Sequence, residues 1–101
     1  GYEATSGRYA AFFLGQIYEA RQKLDDAKTY YQLCMKFAEQ IGATESGYYL
    51  YSMIALGEIA GRQGNRAEAR RWFKEVKDKA DRKDEAFKDA KRRLKRMEKG
   101  D

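Results

Sequence analysis

The sequence predicts an all-α fold built from a repeated helical hairpin. Three observations carry that expectation. Proline is absent, and Ala, Leu, Glu, Lys, Arg and Gln, all good helix formers, are frequent. Apolar residues recur at helical spacing along most of the chain. One pattern also occurs twice. Leu14-Gly15 is followed by Tyr18, Ala27, Tyr31 and Cys34, and Leu56-Gly57 by Ala60, Ala69, Phe73 and Val76. Gly15 to Gly57, Ala27 to Ala69 and Tyr31 to Phe73 are each 42 positions apart. A fixed period means one supersecondary unit repeated and stacked.

The elements follow in order. The first helix is expected to begin near Arg8, with Thr5 or Ser6 accepting a hydrogen bond from a free amide of its first turn. Its apolar residues are Ala11, Leu14 and Tyr18, and it ends near Gln22-Lys23. Asp25 reads as the N-cap of a second helix that runs to about Ile41. Its broad apolar face is formed by Ala27, Tyr30, Tyr31, Cys34, Phe37, Ala38 and Ile41. Gly42 suits a C-cap, since glycine enters the left-handed region without a Cβ clash. After a short connection a third helix spans roughly Gly47 to Gln63 and buries Leu50, Met53, Leu56 and Ala60. Gly64 ends it. Asn65 and Glu68 fit a capping box for the fourth helix, which runs to about Ala80 and buries Ala69, Trp72, Phe73 and Val76. Asp81-Arg82-Lys83 is a polar break. The last helix, about Asp84 to Lys99, carries a narrow stripe of Phe87, Ala90, Leu94 and Met97. The chain thus reads as one domain (1–101) of two hairpins, 8–41 and 47–80, closed by a capping helix, 84–99.

Composition narrows the chemistry. The net charge of +5 conceals an asymmetry. Residues 1–61 hold five basic and seven acidic side chains, whereas residues 62–101 hold sixteen and nine. Eleven of the fourteen aromatic residues lie at or before Tyr51, so an aromatic, mildly acidic part precedes a basic helical one. Such polarity bears on partners and encounter rates rather than on fold. No histidine is present, which removes the commonest general base and transition-metal ligand. The single cysteine, Cys34, excludes an internal disulfide and leaves the compartment open. No apolar run approaches the ~20 residues of a membrane span. No initiator methionine or secretory signal stands at the start, so the expectation is an excised or mature segment of a larger protein; the overall look of the chain suggests a bacterial one. It is expected to be soluble, with the cytoplasm the leading choice.

The repeated residues resemble the tetratricopeptide repeat. That family's first helix carries a large residue, then Leu-Gly, then Tyr; its second carries Ala, an aromatic four later, and a small residue three after that. Small residues at the crossing let two helices approach closely while the rings fill the space between neighbours. The resemblance covers roughly residues 8–80 and implies a right-handed α-solenoid. There are departures. Ala11 and Met53 stand where Trp is frequent, Ala60 replaces Tyr, and the proline after the second helix is missing. The period of 42 exceeds the common 34, as in the long-helix members. The final helix fits the first helix of a degenerate third repeat. Phe87 takes the large position, Ala90 replaces Leu, Leu94 replaces Tyr, and Lys91 stands where Gly belongs.

The family binds peptides on the inner face, lined by the first helix of each repeat. The resemblance places Tyr9, Phe12, Gln16 and Glu19 there, then Tyr51, Ile54, Glu58 and Arg62, then Lys88, Arg92 and Lys95. Such a groove has an aromatic end and a basic end, which suits a protein segment with an aromatic or apolar anchor and acidic character. Phe12 and Ile54 are equally suited to contact a neighbouring repeat. Members that clamp the terminal carboxylate of chaperone peptides use Lys, Arg and Asn at positions here occupied by Phe12, Gln16, Ala55, Glu85 and Asp89, so that specificity is not expected.

Other signals are weaker. Lys88, Lys91, Arg92, Arg93, Lys95, Arg96 and Lys99 suggest nucleic acid or an anionic surface, but Asp84, Glu85, Asp89 and Glu98 dilute them and no aromatic platform lies among them. A solvated capping helix with local ion pairs is the preferred explanation of them. Cys34 reads as a buried structural thiol, and Asp25-Asp26 as helix-opening carboxylates rather than a metal site. No nucleophile, base and orienting group assemble, so neither catalysis nor a cofactor is expected. Self-association through an exposed repeat face is the first alternative to the groove, and binding of nucleic acid or an anionic surface through the basic last helix is the second.

Overall fold

The described residues form five helices: α1 (Tyr2–Ala20), α2 (Leu24–Gln40), α3 (Gly47–Arg62), α4 (Arg66–Lys79) and α5 (Glu85–Gly100). The computed structural model describes residues 2–45 and 47–100. Each helix packs on the next. In addition α1 touches α3 and α3 touches α5, so these three form one row, with α2 and α4 set against it. The molecule measures 44 × 31 × 17 Å, and the short dimension suits two layers of helices at the usual spacing of about 8–10 Å. The expected all-helical class is what the chain adopts. No helix among the described residues is long and apolar enough to cross a membrane.

The period of 42 is written into the backbone as well as the side chains. Gln22 has φ 63 and its counterpart Gly64 has φ 85. The next residues, Lys23 and Asn65, share nearly the same dihedrals, φ −91 and ψ 73 against φ −94 and ψ 74. The Lys23 amide donates to the Tyr18 carbonyl at 2.9 Å, and the Asn65 amide to the Ala60 carbonyl at 2.8 Å. Both hairpins therefore turn through the same hydrogen-bonded loop.

Close approach follows the predicted glycines. A Cβ on Gly15 would lie 2.7 Å from the Tyr31 ring, and one on Gly57 2.6 Å from the Phe73 ring. Only a bare Cα admits the aromatic side chain of the following helix at these two points. The α3 helix contributes more to the core than any other described helix, burying Tyr49, Leu50, Met53, Ile54, Leu56, Ile59 and Ala60.

Several local expectations are corrected. The α1 helix starts at Tyr2, not near Arg8, so Thr5 and Ser6 lie inside it rather than at its cap. Packing carries the helix across this stretch: Ala4 is buried, and the ring of Phe37 lies against Gly7. The N-cap of α2 is Lys23, and Asp25 sits in the first turn, accepting from Gln63 Nε2 at 3.1 Å. Asn65 caps α4 without a side-chain hydrogen bond, and Glu68 pairs with Arg71 at 3.9 Å instead of completing a box. The polar break before α5 closes differently. Asp81 accepts from the Lys83 amide at 2.8 Å, and Asp84 from the Ala86 amide at 2.9 Å.

Candidate functional site

Phe12 and Ile54 lie in the core rather than on the groove. They are 9% and 5% exposed. Phe12 packs its ring edge-on to Tyr31, centroids 5.7 Å apart, and tilts against Tyr48 at 4.8 Å. Both are packing side chains: α2 and α3 close over Phe12, and Ile54 joins the core cluster that includes Ala86 and Ala90 of α5. Tyr9, Gln16, Tyr51, Arg62, Lys88, Arg92 and Lys95 reach solvent, and Glu19 and Glu58 are half-buried.

The charged members of this set form a ladder across the row of first helices. Arg62 on α3 lies 3.9 Å from Glu19 on α1 and donates to Glu58, one turn earlier on its own helix, at 3.0 Å. Glu58 also accepts from Arg93 on α5 at 3.0 Å. Arg93 in turn pairs with Asp89 at 3.2 Å, and Arg92 reaches the same carboxylate at 3.5 Å. Lys88 pairs with Glu85 at 3.4 Å, one turn away. Five ionised side chains from three helices are thereby tied in sequence: Glu19, Arg62, Glu58, Arg93 and Asp89. At the basic end Lys88 and Arg92 each keep a carboxylate neighbour yet stay 52% and 60% exposed.

The floor beneath the ladder is equally constrained. The Tyr31 hydroxyl donates to Glu19 Oε1 at 2.7 Å. Burial first, then that hydrogen bond and the charges of Glu19 and Glu58, push the Tyr31 hydroxyl far above the ordinary tyrosine range, so it remains a donor. A shallow opening of about 300 Å³ between Gln16, Glu19, Gln22, Tyr31 and Arg62 marks this spot. The Phe73 ring lies under the Arg93 guanidinium at 5.7 Å, which gives that cation a second hold.

The aromatic end is richer than the sequence suggests. Tyr9 meets Tyr48 edge-on with centroids 4.9 Å apart, and Phe13 approaches the same ring at 6.2 Å. Arg8 stands 4.8 Å over the Tyr9 ring and donates to its hydroxyl at 3.1 Å. Sequence reasoning missed Tyr48, Arg93 and Asp89 as members of this surface. The pairing of Asp89 with Arg92 and Arg93 was legible from helical spacing; the reach of Arg93 across to Glu58 was not.

Lys95 departs from the ladder. It lines an opening with Lys74, Lys77 and Lys91, between α4 and α5. Cys34 is buried, its thiol held above the ordinary cysteine range chiefly by burial, which suppresses the thiolate that chemistry would need. Among the described residues no three His, Cys, Asp or Glu side chains converge as a metal site would require.

A sequence model of the tetratricopeptide repeat matches residues 8–80. No characterised protein and no solved structure gives a match.

Proposed function

This chain belongs to the tetratricopeptide repeat family, and from that premise we propose that its row of first helices receives a segment of a partner protein. Repeats of this family generally mediate protein–protein interaction and are typically non-catalytic. The observation that carries the finer reading is the Glu19–Arg62–Glu58–Arg93–Asp89 ladder, flanked by the exposed rings of Tyr9 and Tyr51. Rigid aromatic side chains supply contact area at small entropic cost. A preformed ladder of both signs positions a segment that carries charges of its own, and it sets orientation more than raw affinity. The partner best suited therefore brings an apolar or aromatic anchor to the Tyr9–Tyr48 end. Its acidic groups meet Lys88 and Arg92, at the far end.

Tyr9→Ala with Tyr51→Ala tests this. Exposed aromatic anchors often contribute about 1 kcal/mol each to binding, so affinity for the partner, identified by pulldown and mass spectrometry, is expected to fall about thirtyfold. Equal recovery by wild type and variant removes the reading.

A second reading, self-association, is favoured by one feature. Phe13, Leu14 and Ile17 form an exposed apolar stripe on α1. Light scattering over a concentration series separates the two: a constant monomer mass leaves the partner-binding reading, and a mass that doubles assigns the stripe to a second copy.

A further inference from the structure

The cleft between α4 and α5 lies on the opposite side of α5 from the ladder and has different chemistry. Its place in the repeat is recoverable. Met53, Leu56 and Ala60 on α3 correspond, 34 positions on, to Phe87, Ala90 and Leu94 on α5. Leu56 and Ala90 are both sealed inside the molecule. Met53 and Ala60 are also sealed, in a cluster with Ala69, Phe73 and Val76 of α4. Phe87 and Leu94, by contrast, are only half-buried. The face of α5 that would carry a following helix therefore stands open among the described residues.

That seat is not built for another helix of the same kind. In both hairpins the following helix lays an aromatic ring on a glycine, within 2.7 Å of where a Cβ would be. Lys91 occupies this position on α5. A helix lying here must stand further off, and Lys91 lines both openings of the cleft, about 580 and 560 Å³, which also share Lys77. The floor is Phe87 and Leu94; the walls carry Lys74, Lys77, Lys91 and Lys95 against only Asp78 and Glu98. Unlike the arginines of the ladder, Lys74, Lys91 and Lys95 have no ion-pair partner among the described residues.

We propose that the α4–α5 cleft is a second docking surface, for an acidic amphipathic helix of a partner protein that seats its apolar stripe on Phe87 and Leu94 and its carboxylates against the lysine walls. Charge complementarity selects the occupant, and the half-buried apolar floor supplies the area that a purely ionic contact lacks. Nucleic acid fits less well. Phe87 is the one aromatic residue lining the two openings, so successive bases find no stacking platform, and Asp78 and Glu98 interrupt the track that phosphates would follow.

The test uses a fluorescein-labelled peptide of Glu and Leu in helical spacing, with a Gln-for-Glu version as control, followed by fluorescence anisotropy on the whole chain. The Glu peptide is expected to bind, to weaken with added salt, and to lose about tenfold in affinity with Lys74→Glu/Lys91→Glu. The milder Lys74→Gln/Lys91→Gln pair is expected to lose less, with unchanged far-ultraviolet circular dichroism. Arg62→Glu, on the ladder, leaves binding of this peptide unaltered, so failure here and failure of the ladder reading are told apart. Equal binding by wild type and both lysine variants overturns the proposal. So does retention of oligothymidylate or phosphatidylserine vesicles by a chain that ignores the peptide.

Discussion

Repeat one and repeat two carry the same Leu-Gly pair, yet the two leucines have opposite fates. Leu14 is 37% exposed and Leu56 2%. Their helices, their following glycines and the aromatic rings on those glycines correspond one for one. Only the neighbour differs: α2 lies over the Leu56 face of α3, and no described helix lies over the Leu14 face of α1. Burial in a stacked fold is thus a property of position in the stack, and a repeated motif specifies a surface before it specifies a core.

The largest effect expected from this comparison is at the leucines themselves. Leu56→Ala should cost about 2–5 kcal/mol, the range for emptying a well-packed apolar site, while Leu14→Ala should cost about 1 kcal/mol or less, since little area is lost there. Urea unfolding of both variants measures the gap. Equal losses would mean that something in solution covers α1.

At the glycines the two repeats should converge instead. Gly57→Ala drives a methyl into the Phe73 ring, which is buried and lies under the Arg93 guanidinium. Gly15→Ala meets the Tyr31 ring, which its hydroxyl pins to Glu19. Neither ring can swing aside, so each substitution is expected to lose about 1–3 kcal/mol. Gly61→Ala, whose nearest neighbour is Ala69 Cβ at 3.9 Å, serves as the control and should gain slightly from helix propensity. A silent Gly57→Ala would show that the rings do not set the spacing of the hairpins.

The smallest effect is at the loop. Gln22 holds the left-handed conformation that Gly64 adopts without strain in the second repeat. Gln22→Gly should therefore raise the unfolding midpoint by a few degrees, about 0.5–1 kcal/mol, because relief of the Cβ clash outweighs the added freedom of the unfolded chain. A lowered midpoint would indicate that Gln22 has contacts whose loss matters more than its backbone angle.

Much of the fold was legible because its determinants are local and doubled. Glycine, alanine and an aromatic residue in one register state where two helices cross, and they state it twice. The start of α1 was not legible, since Ala4 is buried and Gly7 lies against Phe37, far along the chain. The caps misled for a related reason. Asp25 and Glu68 have the side chains for capping, but Gln63 and Arg71 engage them. In the candidate site, the exposed members Tyr9, Tyr51 and Arg62 could be placed by register alone. Phe12 and Ile54 could not, because whether a helix face meets solvent or a neighbouring helix depends on how far its neighbours reach. The bond from Arg93 to Glu58 joins residues 35 positions apart in different repeats, beyond any helical spacing rule.

The central position of α3, in contact with all four other helices, carries a consequence for how the molecule comes apart. An array whose units touch only at their borders can fray one unit at a time from either end. Here the first hairpin cannot leave without uncovering Leu56 and Ile59 of α3, which pack against it, and α5 cannot leave without opening the other end of the same core. Melting should accordingly be a single cooperative event, and neither hairpin is equipped to persist as an independent folding unit.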